Sequence, residues 1–524
     1  MRRLFLAAAA CVVVAAVPGA GAQTPAMLRI ESLSTPVISP NGNGVRDSVI
    51  VKTNSSPGTL LGLRVYVWGG RLSGWKRIRT GLSSTSGELT WNGTSATGRA
   101  LDDGTYQVTV CYKDPGRLLP PRGVPRPGAA EAGVRRPPWR STGCATNPHV
   151  VRVERLALFT DSTGSFQHGD RVPLVVSADR GRAGISLERD CEVSEDEQMV
   201  PSRKGSITIP FGNPPGLYHG VAGDPAGDVF RAPIVVRSAV PLDHPEPHTA
   251  LVVWPYLTWR AYNAYDADLN GIPDSWYQFW PQRRVSLKGP LLRDGLEDDH
   301  QAALPFSRWL CSRSVRTQQI TDVELGHLSL STLRRYRAVI FPGHTEYYEP
   351  KTYDLLMRYR REGGNLVFLQ ANPFYRQVRI DRERNAVVMT DYDAREGRSD
   401  FAIAGVGYDG CCFPHARARP YVAAMGRDYE KVRWLFRGTG IGPGDAFGVA
   451  ASESDRVDPQ LTPHDHVVAA QAIIRGKRGV INAAMVWSRD GRGQTFATGN
   501  YTILRMGRGV TYKLLDNVWR RLVG

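Results

Sequence analysis

Short runs in which apolar and polar residues alternate fill the first part of the chain. Val49–Val51, Leu63–Trp68 and Thr105–Val110 follow this pattern, with turn-forming residues between them. Alternation with a period of two buries one face of a strand, and closely spaced strands of this kind are typical of β-sandwiches. The pattern predicts one β-sandwich over residues 28–113 and, where short strands return, a second over residues 149–240.

The pattern changes after Thr249, where the apolar runs become continuous. Ala250–Trp254, Ala338–Pro342 and Asn365–Leu369 read as strands that are buried on both faces. Between the last two runs, apolar positions recur at helical spacing, and a Gly-Gly pair follows as a helix stop. A strand, a helix and a second strand form a βαβ unit. We therefore expect residues 248–524 to form an α/β domain with a doubly wound, mainly parallel sheet.

The first residues have the three parts of a secretory signal. Arg2 and Arg3 precede an apolar run from Leu4 to Val17, and small residues follow up to Ala22. This order predicts a signal peptide over residues 1–22 and export of the protein, with an uncleaved anchor or a buried helix as the alternatives. No later apolar run is long enough for a membrane span, so we expect no transmembrane anchor after cleavage.

Cysteine usage agrees with an oxidising compartment. Residues 114–148 are rich in Pro, Gly and Arg, which predicts a linker or a long loop. Cys111 and Cys144 flank this segment, and we expect them to form a disulfide. The neighbouring Cys411 and Cys412 are expected to pair elsewhere rather than with each other.

The chain of 524 residues carries a formal net charge of +16. Its arginines are scattered and no recognition motif is present, so we expect no nucleic-acid partner. An excess of positive charge on an exported protein remains compatible with weak attraction to anionic cell-surface polymers.

His344 and Glu346 directly follow the apolar run that ends at Pro342. Ligands of open α/β sheets bind beyond the carboxyl ends of the strands, so these two residues are candidates for catalysis. The alternative is structural, with Glu346 and Glu349 complementing the N-terminus of the next helix.

A second candidate site lies between Asp266 and Asp274. Oxygen-bearing side chains occur at positions 1, 3, 5 and 9, and glycine occurs at position 6, as in the first part of a calcium loop. Position 12 is Tyr277, so the segment is not an EF-hand, and a solvated turn is the alternative. The expected calcium ligands are Asp266, Asp268, Asn270 and Asp274.

Two families share motifs with the chain. Ser39–Asp47, Trp91–Thr94 and Asp103–Tyr106 resemble the Ig-like module of flagellar hook-capping proteins, within residues 28–113. This resemblance implies a spacer or adhesion module without catalysis.

A longer series of motifs runs through residues 249 to 507. It comprises Trp254-Pro255, Thr258–Asn263, Pro305-Phe306, Trp309-Leu310, Thr321–Leu325, Gly343–Tyr347, Gly363–Leu366, Asn372, Tyr375-Arg376, Glu453–Arg456 and Ala484–Val486. In this series the chain resembles the C-terminal region of the N,N-dimethylformamidase large (β) subunit and the proteins that share it.

The second resemblance implies a mononuclear iron held by two tyrosines and a glutamate, and hydrolysis of a small amide by metal-activated water. Glu346 matches the glutamate, His344 a neighbouring proton shuttle, and Tyr262 the first tyrosine. The second tyrosine corresponds to Leu291, which cannot coordinate iron. The tyrosines that would have to substitute for it are Tyr256, Tyr265 or Tyr347.

Two functions therefore stand as hypotheses. The first is an exported, metal-dependent hydrolase that cleaves C–N (amide) bonds of a small molecule at His344, Glu346 and Tyr262. The second is a non-catalytic cell-envelope binding or scaffold protein that has lost the metal site and engages a cell-surface polymer.

Overall fold

The structure is a computed structural model, and part of the chain is described. The described residues are 28–40, 46–55, 59–68, 75–101, 104–112, 144–145, 149–178, 182–189, 197–201, 204–212, 214–223, 229–263, 265–267, 274–276, 284–291, 303–390, 398–410, 418–450, 453–476, 479–500 and 508–524. The expected signal peptide, most of the expected linker, and two of the expected calcium ligands, Asp268 and Asn270, lie outside them.

The first module contains two sheets. Its strands are β1 (Ile30–Leu33), β2 (Val37–Ile38), β3 (Val49–Thr53), β4 (Leu61–Trp68), β5 (Trp75–Ser84), β6 (Glu88–Trp91), β7 (Gly104–Tyr112) and β8 (His149–Val153). The sheets have the strand orders β1-β3-β6 and β2-β8-β7-β4-β5. Val51 and Trp91 from one sheet share a buried core with Leu63 and Val108 from the other. The two sheets therefore form a β-sandwich, because apolar residues on alternate positions of each sheet face one another.

The second module is also a sandwich. Its strands are β9 (Leu156–Phe159), β10 (Arg171–Ala178), β11 (Arg182–Arg189), β12 (Glu197–Pro201), β13 (Gly205–Thr208), β14 (Gly216–Gly223) and β15 (Val229–Val236). They form sheets of order β13-β10-β9 and β12-β11-β14-β15 around one core. The sequence pattern predicts that this module starts at residue 149, but β8 pairs with β2 and β7 of the first sandwich.

The remaining strands belong to the C-terminal domain. They are β16 (Ala250–Trp254), β17 (Arg284–Ser286), β18 (Thr317–Thr321), β19 (Ala338–Phe341), β20 (Tyr347–Tyr348), β21 (Asn365–Phe368), β22 (Arg376–Asp381), β23 (Ala386–Met389), β24 (Gly407–Gly410), β25 (Arg419–Ala423), β26 (Ala446–Ala450), β27 (Ser454–Arg456), β28 (Asp465–Gly476), β29 (Gly479–Asp490) and β30 (Gly493–Ala497). Its helices are α1 (Tyr256–Tyr262), α2 (Asp322–Leu325), α3 (Leu330–Leu333), α4 (Pro350–Arg361), α5 (Asp400–Ala404), α6 (Gly426–Val432) and α7 (Arg508–Leu522), and residues 303–311 are also helical.

The central sheet has nine strands in the order β18-β16-β19-β21-β30-β29-β28-β25-β26. The strands from β18 to β30 pair in parallel, and those from β30 to β26 pair antiparallel. The expected doubly wound, mainly parallel sheet is therefore corrected to a mixed sheet in a chain rich in β structure. The difference arises because the long hairpin of β28 and β29 joins the edge of the parallel strands, and hairpins can pair only antiparallel.

The parallel half is buried on both faces, as its continuous apolar runs indicate. In β16, Val252 and Trp254 face one core, and Leu251 and Val253 face the other. The helix predicted between two of the apolar runs is α4, which covers the second core through Tyr353, Leu356 and other apolar residues.

The three modules are joined by polar contacts. Ser165 of the second sandwich donates from its backbone N–H and its hydroxyl to the Glu324 carboxylate, each at 2.9 Å. Arg152 of the first sandwich lies over the ring of Tyr265, with its guanidinium carbon 4.7 Å from the ring centroid. The N-terminal modules therefore contact the domain that carries the candidate site.

The disulfide between Cys111 and Cys144 is present, with an S–S distance of 2.05 Å. Cys311 is disulfide-bonded as well. Within the described part of the chain, no helix combines the length and the apolar character needed to cross a membrane.

Candidate functional site

The candidate site lies where the parallel strands of the central sheet end. His344 and Glu346 follow β19, Asn372 follows β21, and Thr498 follows β30. The loop after β19 passes very close to the start of α1, because a Cβ on Gly343 would lie 2.8 Å from Pro255. Loops at the carboxyl edge of such a sheet can bring together residues that are distant in sequence.

A hydrogen bond holds the loop after β19 against α1. The backbone N–H of Glu346 donates to the Thr258 hydroxyl at 3.0 Å. One turn later on the same helix, the Tyr262 hydroxyl donates to the Glu346 carboxylate. The structure thus brings together the phenol and the carboxylate that we identified from the sequence.

His344 occupies the centre of the cluster and is 1% exposed. Its ring centroid lies 5.6 Å from that of Tyr262. Its Nε2 atom lies 3.2 Å from Oε2 of Glu453 and 4.0 Å from Oε2 of Glu346. One nitrogen of the buried imidazole therefore faces two carboxylates, an arrangement suited to holding and passing a proton.

Asn372 and Asp455 support Glu453. The Asn372 side-chain amide donates to Glu453 Oε2 at 3.1 Å, and its backbone N–H donates to the Asp455 carboxylate at 3.0 and 3.1 Å. Burial raises the pKa of Asp455 to about 8, although the Asn372 N–H opposes this shift. Glu453 and Asn372 belong to the motifs that carry the family resemblance, but no spacing in the chain indicates that they contact His344.

The residues present do not fit the two-tyrosine iron site that the resemblance implies. Leu291 is 6% exposed and belongs to an apolar core cluster. The Tyr262 phenol and the His344 imidazole lie beside the Glu346 carboxylate. In the described ranges, no group of three or more His, Cys, Asp and Glu residues is suited to hold a metal ion.

Two of the three substitute tyrosines have other contacts. The Tyr256 hydroxyl accepts from Arg260 at 2.9 and 3.0 Å, and Tyr265 lies under Arg152. Tyr347 lies perpendicular to the Tyr262 ring with a centroid distance of 6.1 Å. None of these contacts places a second phenol on the Glu346 carboxylate, so they do not complete a two-tyrosine iron site.

The candidate calcium loop is described at its two ends. Asp266 is fully buried, and the Asp274 carboxylate accepts the backbone N–H of Ala267 at 3.1 Å. The Asp274 backbone N–H donates to the Tyr265 carbonyl at 3.1 Å, which closes the loop. Calcium binding remains a prediction for this segment.

Comparisons with known proteins agree with the family resemblance. A family model described as N,N-dimethylformamidase beta subunit-like, C-terminal, matches residues 166–503. The match covers more than half of the chain and begins inside the second sandwich, well before the start at residue 248 that we assigned to the C-terminal domain. The protein is thus a multi-domain, β-rich chain with a mixed-sheet C-terminal domain. It belongs to the N,N-dimethylformamidase beta subunit-like C-terminal family.

Solved structures give only distant likenesses. A GH42 β-galactosidase from G. stearothermophilus matches at 12% to 13% identity with a TM-score of 0.30, over 53% of this chain and 30% of that chain. An exo-β-1,4-mannosidase from Opitutaceae bacterium strain TAV5 matches at 10% identity with a TM-score of 0.24, over 53% and 36%. The chain therefore matches less than half the length of either structure. No curated protein matches the chain.

Proposed function

We propose that the protein is an exported hydrolase that cleaves the C–N bond of an amide at the cluster around His344. The observation that carries this proposal is the buried imidazole whose Nε2 atom faces both Glu453 and Glu346, with the Tyr262 hydroxyl donating to Glu346. Membership of the amidase-related family and the disulfide Cys111–Cys144 support the activity and the export, respectively.

In the proposed reaction, His344 takes a proton from water as the water oxygen attacks the amide carbon. A C–O bond forms, the C–N bond breaks, and the proton passes from His344 to the departing nitrogen. Glu453 orients the imidazole and stabilises its charged form, in the way that a carboxylate supports a general base. Glu346 lies farther from the His344 Nε2 atom, at 4.0 Å, and its carboxylate accepts the Tyr262 hydroxyl.

The test is hydrolysis of small amides by the mature protein and by His344→Gln. We expect this substitution to lower kcat/KM by about 10²-fold or more, as removal of a general acid–base does. His466→Gln is the matched control, since His466 lies in β28 and its Nδ1 atom is 2.7 Å from the Pro463 carbonyl. Equal rates in the two variants would contradict the proposal, provided that their circular dichroism spectra agree.

Leu291 favours a second function, because an apolar residue replaces the phenol that the resemblance implies. In this alternative the domain is non-catalytic, and the basic protein binds an anionic cell-surface polymer. Metal analysis of the mature protein and sedimentation with cell-wall fragments test it. Little bound iron, no amide hydrolysis and salt-sensitive sedimentation are the results expected for a binding protein.

A further inference from the structure

Four exposed arginines lie together on the C-terminal domain, although they are far apart in the sequence. Arg361 ends α4, Arg489 lies in β29, Arg492 lies in the turn before β30, and Arg521 lies in the last turn of α7. The backbone N–H of Arg492 donates to the Arg361 carbonyl at 3.5 Å. The guanidinium carbons of Arg489 and Arg521 lie 4.9 and 5.7 Å from the centroid of one ring, that of Trp487. We call these four arginines the arginine surface.

The arginine surface lies at the edge of the sheet opposite the candidate site. β30 begins at Gly493, directly after Arg492, and its other end leads to Thr498 at the candidate site. Asn365 begins β21, and its side-chain amide donates to the carbonyl of Leu522 at the end of α7 at 2.7 Å. A strand extends about 3.3 Å per residue, so about 15 Å of strand separates the two edges.

The guanidinium of Arg521 is held in one orientation. Its carbon lies 5.6 Å from the Trp434 ring centroid, and its Nε donates to Gln494 Oε1 at 3.3 Å. The same Gln494 oxygen accepts the Trp487 indole N–H at 3.1 Å. Stacking uses the flat face of a guanidinium and leaves N–H groups on its edge for a bidentate contact with an oxyanion. Because the side chain is already ordered, it loses little conformational freedom when it binds a ligand.

The positive charge of the arginine surface is not balanced by nearby carboxylates. Two carboxylates of the same region are paired with other arginines, Glu362 with Arg334 and Asp490 with the buried Arg360. Among the described residues, no ion pair involves the four arginines themselves. Two cations on one indole ring repel each other, and physiological salt screens so short a separation only in part. A fold that keeps these cations together therefore favours an anionic ligand.

We propose that the arginine surface binds a polysaccharide whose sugars carry carboxylates. This inference rests on the second function proposed above, polymer binding, and it does not require amide hydrolysis. Each carboxylate can accept two N–H groups from one guanidinium. Sugar rings also have apolar faces, which suit the half-buried indole of Trp434 beside Arg521. An inorganic polyphosphate offers the charge without such a face, so the arrangement favours the acidic polysaccharide.

The test measures the Kd of polygalacturonate for the mature protein by isothermal titration calorimetry. The first variant combines Arg489→Gln, Arg492→Gln and Arg521→Gln. Each exposed charge contact contributes up to about 1 kcal/mol, so we expect the Kd to rise about tenfold or more. Amide hydrolysis should stay at the wild-type rate, because these residues lie at the opposite edge of the sheet from the candidate site.

The matched control removes the same number of charges elsewhere, through Arg182→Gln, Arg419→Gln and Arg427→Gln, all of which are exposed. We expect its Kd to rise less than about threefold, since only the long-range attraction changes. An equal rise in the two variants would overturn the inference, because overall charge would then explain the binding.

A second variant, Arg489→Lys with Arg521→Lys, keeps the charge and serves if the first does not fold. We expect it to bind polygalacturonate more weakly than the wild type, because lysine has no bidentate fork. Unchanged binding in both variants overturns the inference and leaves polymer binding standing, whereas a wild type that does not bind overturns both. Tighter binding of polyphosphate than of polygalacturonate would overturn the assignment of an acidic polysaccharide.

Discussion

Glu324 joins the second sandwich to the C-terminal domain, and its removal should destabilise both. Its Oε1 atom accepts the Ser165 hydroxyl at 2.9 Å, and its Oε2 atom accepts the backbone N–H groups of Ser165 and Thr321, each at 2.9 Å. The contact with Thr321 belongs to the capping box of α2. The neighbouring Gly164 leaves little space, because a Cβ there would lie 3.3 Å from the Glu324 carboxyl group.

The magnitude follows from these contacts. Each hydrogen bond to a charged group contributes about 1.5–3 kcal/mol, and loss of a helix cap costs about 0.5–2 kcal/mol. The contributions are not additive, because Ser165 and Thr321 share one carboxylate. We therefore expect Glu324→Ala to lower the free energy of unfolding by about 3 kcal/mol.

The assay is urea unfolding of the full-length protein, followed by tryptophan fluorescence. Glu362→Ala is the control, since the exposed Glu362 pairs with Arg334 at the surface and its loss should hardly move the midpoint. Ser165→Ala should lower the midpoint less than Glu324→Ala, and the double variant should resemble Glu324→Ala alone. Equal midpoints for Glu324→Ala and Glu362→Ala would refute the role of this contact. Fully additive effects of Ser165→Ala and Glu324→Ala in the double variant would refute it as well.

Three further predictions concern other parts of the chain. Burial raises the pKa of Asp455 from 3.8 to about 8, so its protonated form is favoured in the folded state. Stability should therefore fall as the pH rises from about 4 to 8, and urea unfolding across this range should show a flatter dependence in Asp455→Asn. Calcium should raise the melting temperature of the wild type but not that of a variant with Asp266→Asn and Asp274→Asn; an unchanged wild-type melt in saturating calcium excludes the loop assignment. The disulfide Cys111–Cys144 closes a separation of 33 residues. Its removal by Cys144→Ser should destabilise the first sandwich by about 3–4 kcal/mol, because the unfolded chain gains the entropy of an open loop. An unchanged midpoint of urea unfolding would contradict this.

Local patterns predicted much of the fold. Continuous apolar runs predicted β16, β19 and β21, and helical spacing predicted α4. A strand buried on both faces has apolar residues at every position, and a helix buried on one side has them every three to four residues. The pattern did not show that the antiparallel strands continue the parallel sheet, because an apolar strand carries no information about which edge it joins.

Part of the candidate site could likewise be predicted from the sequence, and part of it depends on tertiary structure. Residue order alone placed His344 and Glu346 at a strand end, since both follow a buried run directly. The family resemblance implied that Leu291 stands where the second tyrosine ligand would be. Tertiary structure decided that Tyr262 reaches Glu346, that Glu453 faces His344, and that Asn372 donates to Glu453. The sequence could not show these contacts because the residues belong to segments far apart in the chain, which the central sheet brings to one edge. Contacts among side chains from separate strands depend on packing and register, which local periodicity does not encode.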